Sequence, residues 1–325
     1  MKKVALLITA FLLTMGFAQA QDVYVSGNHF TTGKVYKNNT LLYSITDSLD
    51  LQLKGIQVAE DGTVYGAGYA YNDTVLHGCV WMNDSCIFTA DTNTYFDHIV
   101  LNGNNWTVAG GNTVWQNGEL LYSYSHGEDE CHIYSLAVDT TTGDIYAGGA
   151  INIAGEYYAY ASVWKNDSLL WMADTISSIY SICFDGENLY ATGFRAENDS
   201  LSYGFIWQND SIIYEMEEAN FVNIATFNGS LYWSGISLTD TTVYIWQDGE
   251  VLYDLPEFSG ISNLVVNEYG VYYTDAYCHV RSRLGGVPAR GLACRASRHR
   301  RVRADPQRFA RRYRPRHPAR LQRGV

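Results

Sequence analysis

The densest set of reactive side chains in this 325-residue sequence is His126-Gly127-Glu128-Asp129-Glu130-Cys131-His132. Two imidazoles, three carboxylates and a thiol lie within seven residues, enough to hold a hard cation such as Ca2+ or, less readily, zinc. The competing reading is a solvated acidic loop. Glu215, Glu217 and Glu218 stand at the equivalent place in a later repeat, so one face is expected to be acidic and to attract Ca2+ or a cationic ligand. Beyond Ca2+ no cofactor is indicated. HExxH, GxSxG, the Walker phosphate loop and the dinucleotide fingerprint are all missing, so no catalytic residue is assigned.

The six cysteines (Cys79, Cys86, Cys131, Cys183, Cys278 and Cys294) are scattered and form no CxxC pair, which argues against a thiolate zinc site. Cys79 and Cys86 flank a turn centred on Asn83-Asp84. That turn predicts Cys86 opposite Trp81 rather than Cys79.

The formal charge of −12 hides three unequal segments. Residues 1–20 are basic and then apolar, with two lysines, a run from Val4 to Leu13, and small residues at Ala18 and Ala20. This is the layout of a secretory signal peptide, with cleavage expected after Ala20 and a periplasmic, surface or secreted destination. No later stretch is apolar for long enough to span a membrane. Residues 21–280 carry five basic residues (Lys34, Lys37, Lys54, Lys165 and Arg195) against 33 acidic ones. Such a surface repels phosphates and excludes nucleic acid as a partner. Residues 281–325 carry 15 Arg, a single acid (Asp305) and four of the five prolines. That vocabulary reads as a disordered tail of frameshifted or non-native origin, and its charge says nothing about the body.

Within the body one motif recurs: an aromatic residue, small residues, then Gly, as in Val64-Tyr65-Gly66-Ala67-Gly68 and Leu189-Tyr190-Ala191-Thr192-Gly193. Its anchors are Tyr24, Tyr65, Trp106, Tyr146, Tyr190, Tyr232 and Tyr272, spaced by 40 to 44 residues. A second motif follows each of the first six, as in Val80-Trp81-Met82-Asn83-Asp84, Val163-Trp164-Lys165-Asn166-Asp167 and Ile245-Trp246-Gln247-Asp248-Gly249. Asn-Gly, Asn-Asp and Asp-Gly tolerate positive φ and so mark tight hairpin turns. A short apolar run after the turn and another before the next anchor bring the count to four strands per period.

Four strands per forty-odd residues predicts an all-β chain, a β-propeller of four-stranded blades with six blades visible and a seventh begun. Radial stacking would bury the recurrent Tyr and Trp between neighbouring sheets. An alternative closure would carry Ile261 to Val266 back into the first sheet. Aligning the inner strands gives a polar ring of Gly55, His98, Ser135, Ser181, Asn223 and Asn263, which strand alternation would turn toward a central channel.

The Val/Ile-Trp-x-Asn-Gly/Asp repeats resemble those of uncharacterised propeller-like proteins exported by Bacteroidota, over residues 1–280. The resemblance implies a fold and export, not an activity. The expected role is a noncatalytic, monomeric module that binds glycan or envelope protein. A carbohydrate hydrolase or lyase working through the acidic face is the second reading, and a structural surface repeat protein the third.

Overall fold

The computed structural model describes Asp22, positions 24–275 apart from short breaks, and the strand backbone of Val280–Leu284 and Val287–Pro288. The breaks are at 30–31, 39, 47–49, 73–74, 157, 199–200, 210, 257–259 and 269. The expected leader and most of the Arg-rich segment lie outside the described residues.

Each hairpin motif folds through its Asn or Asp. Asn83, Asn117, Asn166, Asn209 and Asp248 all take φ between 49° and 56°, a region that short polar side chains tolerate better than most. Glycine would satisfy φ equally well, but the side chain does more. Asn166 Oδ1 accepts the Ile145 N–H at 3.0 Å, the Asn166 N–H donates to the Ile145 carbonyl at 2.8 Å, and Nδ2 donates to Asp144 at 2.8 Å. Asn209 repeats the set on Leu189 and Asn188. The turn is thus stitched to the start of the aromatic-Gly strand of its own sheet.

These turns generate consecutive antiparallel meanders. Three strands over 24–46 form the first sheet, and four strands each form those over 50–92, 98–123, 219–255 and 261–288. Between them, residues 130–217 form one seven-stranded sheet. Its middle strand, Ser168–Phe184, is 17 residues long. Its first half pairs with Ala159–Lys165 as the outer strand of one repeat, and its second half with Leu189–Asn198 as the inner strand of the next. Ile261–Asn267 pairs with Gly270–Asp275 in its own sheet rather than with the first one. Pairing then runs past the compositional break at residue 281 through Val280–Leu284 and Val287–Pro288. No helix among the described residues is long and apolar enough to cross a membrane.

The leading strands of successive sheets lie side by side, and the apolar interior is divided accordingly. Six clusters occur among the described residues, each shared by two consecutive repeats. One joins Ala109 and Val114 to Ile133, Leu136 and Trp164; another joins Ala161 and Val163 to Ile179, Phe205 and Trp207. Trp81, Trp207 and Trp246 are each only 1% exposed. Burying such side chains between sheets supplies the main driving force for stacking.

Every inner strand except the third carries a register shift, between Leu53 and Gly55, Ile133 and Ser135, Ile179 and Ser181, Phe221 and Asn223, and Ile261 and Asn263. One residue of each is left unpaired, a β-bulge. The bulge explains the motif glycine. A Cβ on Gly193 would sit 1.8 Å from the Ser178 carbonyl oxygen, and one on Gly149 1.9 Å from that of His132. The sequence pattern places these glycines where adjacent sheets approach. The structure instead puts them against the bulged strand of their own sheet, and a different set makes the intersheet contacts, such as Gly148 against Ile182.

Gly193→Ala is therefore expected to cost about 3 kcal/mol in urea denaturation, whereas Gly260→Ala, with open space around its Cβ, should be near neutral. Asn166→Gly keeps the φ but removes two side-chain hydrogen bonds, and should lower stability by about 1–2 kcal/mol in the same assay.

Candidate functional site

The bulges single out one residue on each inner strand that carries them. The residues skipped by the register are Lys54, Tyr134, Tyr180, Val222 and Ser262, and Asp97 holds the corresponding place in the third sheet, where its N–H donates to the Ala109 carbonyl at 2.9 Å. Each stands one residue before a member of the polar ring expected from alternation.

That expected ring works largely between sheets. Ser135, 4% exposed, accepts the Ile182 N–H of the following inner strand at 3.1 Å. Ser181 accepts the Ile224 N–H at 3.4 Å. Asn223 Nδ2 donates to the Ile261 carbonyl at 3.0 Å and to the Ser234 hydroxyl at 3.1 Å. A Cβ on Gly55 would touch Ile99 Cγ2 at 3.5 Å. These bonds tie consecutive inner strands together, engaging Ser135 and Ser181 as acceptors and Asn223 as a donor. Asn263 is exposed. His98 retains some surface but is packed deep enough that burial holds its imidazole down, at about 4.

Two of the bulged residues anchor an aromatic arc that crosses two repeats. Tyr134 and Tyr180, from successive repeats, have ring centroids 6.2 Å apart. Tyr180 stacks on Phe194 at 5.8 Å, and Tyr134 on His132 at 6.4 Å with an interplanar angle of 8°. Lys54 lies over Tyr69 at 5.4 Å. Burial raises the Asp97 carboxyl above its ordinary value, with Lys54 opposing. Burial likewise raises the Tyr134 hydroxyl, helped by Tyr95 and Asp97, and raises that of Tyr180 against a hydrogen bond from Asn220. Asn220 Oδ1 is buried without a hydrogen-bond partner. The arc offers aromatic faces with polar edges, a lysine and a carboxyl of raised affinity for its proton.

The acidic cluster is committed to its own loop. His126 Nδ1 lies 2.7 Å from Asp129 Oδ2, and Asp129 Oδ1 accepts the Ala154 N–H at 2.7 Å. The Ala154 bond, then His126, holds the Asp129 carboxyl below its usual range. Glu128 is exposed, and Glu130 reaches His132 only at 3.7 Å. Glu215 is paired with the Arg195 guanidinium, which stacks on Tyr203 at 4.4 Å, and Glu217 is exposed. Among the described residues no three His, Cys, Asp or Glu side chains converge as a metal site.

Two open grooves at the opposite end of the sheets, of about 570 and 420 Å3, share Phe184 and Gly186. Their walls include packing residues such as Leu189 and Trp207. Asp139 in the larger groove is bonded to Thr141 and Thr142, and Lys165 to Asp144. The aromatic arc is the better-equipped surface.

The fold is similar to the WD40 β-propeller domain of Doa1, at 14% identity and a TM-score of 0.53, over 81% of this chain and 88% of that one. Looser likenesses are BamB from Moraxella catarrhalis (12% identity, 79% and 89% coverage, TM-score 0.42) and Saccharomyces cerevisiae Sqt1 (12%, 80% and 78%, 0.49). No protein-family model and no curated protein matches the chain.

His98 makes stability depend on pH in a defined direction. Its folded value of about 4 lies below the unfolded value near 6.5, so its contribution is complete above about pH 6.5 and is lost as pH falls toward 4. Urea midpoints at pH 7 and 4.5 should show a loss of about 2 kcal/mol that His98→Ser, the residue of the two following repeats, removes. The likeness to a solved propeller, with these sheets and their divided interior, gives the chain an all-β, propeller-like architecture.

Proposed function

We propose that the chain is an exported, noncatalytic propeller module that binds glycan or envelope protein through the aromatic arc of Tyr95, Tyr134, Tyr180 and Phe194. The observation that carries this reading is the unbroken aromatic run His132–Tyr134–Tyr180–Phe194, crossing two repeats and left partly open to solvent. Tyrosine presents an apolar plate with a hydrogen-bonding edge, which suits a sugar ring or a peptide side chain. Six apolar interfaces between consecutive repeats support a seven-bladed ring as the frame. The basic-then-apolar first twenty residues, and the resemblance of the repeats to exported Bacteroidota proteins, support the envelope as the place of action.

A second reading, a polysaccharide hydrolase or lyase, is favoured by one observation. Asp97, with its carboxyl raised by burial, lies near enough to Tyr134 to influence its hydroxyl, and Tyr134 stacks on His132.

Glycan-array and envelope-fraction binding by the full chain, compared with Tyr134→Ala/Tyr180→Ala, separates these readings. The double variant should lose at least about tenfold in affinity while keeping its melting midpoint. Absence of binding by the parent chain to every glycan and fraction overturns the proposal. New reducing ends or unsaturated products from a bound glycan transfer it to the enzyme reading.

A further inference from the structure

Cys79, Cys86, Cys131 and Cys183, the described cysteines, form no disulfide, and two of them share one hydroxyl group. Cys79 and Cys86 lie on the outer hairpin of the second sheet, Val75–Met82 and Ser85–Thr92. As the turn predicts, Cys86 stands opposite Trp81, while Cys79 stands opposite Thr89. Simple alternation would leave the thiols on a loose diagonal. The register shifts between Val80 and Trp81, however, and Ile87 drops out of the pairing. That bulge shortens the diagonal, and both sulfurs reach Thr89 Oγ1, Cys86 at 3.4 Å and Cys79 at 4.0 Å. The neighbouring Cys86 thiol, ahead of burial, pushes the Cys79 thiol up.

The pair is asymmetric in access. Cys79 is 2% exposed, whereas Cys86 is open to solvent. An oxidant therefore meets Cys86 first, and Cys79 is positioned to resolve what forms there.

We infer that Cys79 and Cys86 are a dithiol that closes to an intramolecular disulfide when a small disulfide oxidant is supplied. The Cys86 thiolate attacks one sulfur of the oxidant, forming a mixed disulfide and expelling one thiolate. Cys79, giving up its proton, then attacks Cys86 Sγ and expels the second. The protein loses two protons and two electrons, and the oxidant leaves as two thiols. The staple fixes the strand that carries Phe88, whose ring packs on Trp106 at 5.7 Å and Trp115 at 5.6 Å in the next sheet. Oxidation thereby tightens an intersheet contact as well as a hairpin.

The test is exposure of the full chain to oxidised glutathione, followed by intact mass, non-reduced peptide mapping and thermal melting. The expected results are loss of two hydrogens, a Cys79–Cys86 cross-linked peptide, and a midpoint raised by roughly 5 °C. Cys79→Ser should instead retain glutathione on Cys86, because the resolving thiol is gone. A lasting glutathione adduct on Cys86 in the parent chain, both thiols still open to alkylation, or a bond from either cysteine to another partner would overturn the inference.

Discussion

The tightest constraint in the molecule is the approach of an inner-strand carbonyl to a glycine that has no side chain to meet it. At Gly149 and Gly193 even a methyl group would overlap that oxygen. On the bulged inner strands this approach sits beside the extra residue, which adds local twist, and Gly110 meets the Tyr95 carbonyl in the same way in the third sheet, where the pairing carries no shift. The bulge also resets the alternation: Ser135, Ser181 and Asn223 bond the following inner strand, while Tyr134 and Tyr180, each one residue earlier, stack on one another. Stacking and surface chemistry therefore have a common origin in one backbone irregularity repeated along the chain.

Stacking is then stabilised by two unlike contributions. Apolar burial is distributed over separate intersheet clusters, so each repeat depends mainly on its immediate neighbours, as in other repeat architectures. The polar rivets, Ser135 to Ile182, Ser181 to Ile224 and Asn223 to Ile261, satisfy buried backbone groups that a sheet edge would otherwise leave unpaired. A buried hydroxyl or amide is tolerated there because its partner is fixed. The apolar clusters provide the attraction, and the rivets set how the strands align.

Much of this was readable from composition and spacing. The interval between Tyr24, Tyr65, Trp106 and their successors gave the sheets, and the Asn and Asp turns gave the hairpins. The second role of Asn166, as acceptor for Ile145, was hidden because the partner lies 21 residues away and depends on the closed hairpin. The aromatic arc was hidden for a stronger reason. A period of two puts Ser135 and Ser181 in the ring and does not register the bulges at Tyr134 and Tyr180, which bring those two rings together. The adjacency of those tyrosines to the polar ring was the available signal. In the acidic stretch from His126 to His132 closeness in sequence does not amount to a shared site: Asp129 holds the Ala154 N–H, Glu128 and Glu130 are exposed, and no metal-binding group of three is found among the described residues.

The 17-residue strand Ser168–Phe184 joins two repeats without an intervening loop. A loop between repeats can act as a hinge, whereas a continuous hydrogen-bonded strand transmits bending to both sides. Tyr134 belongs to the repeat on one side of this junction, and Tyr180 lies on the strand itself. Their mutual angle is consequently braced by backbone rather than by side-chain packing alone. The two rings form a preset, tilted pair, their planes 54° apart, and whatever settles on them does so without first having to bring two independently moving sectors into line.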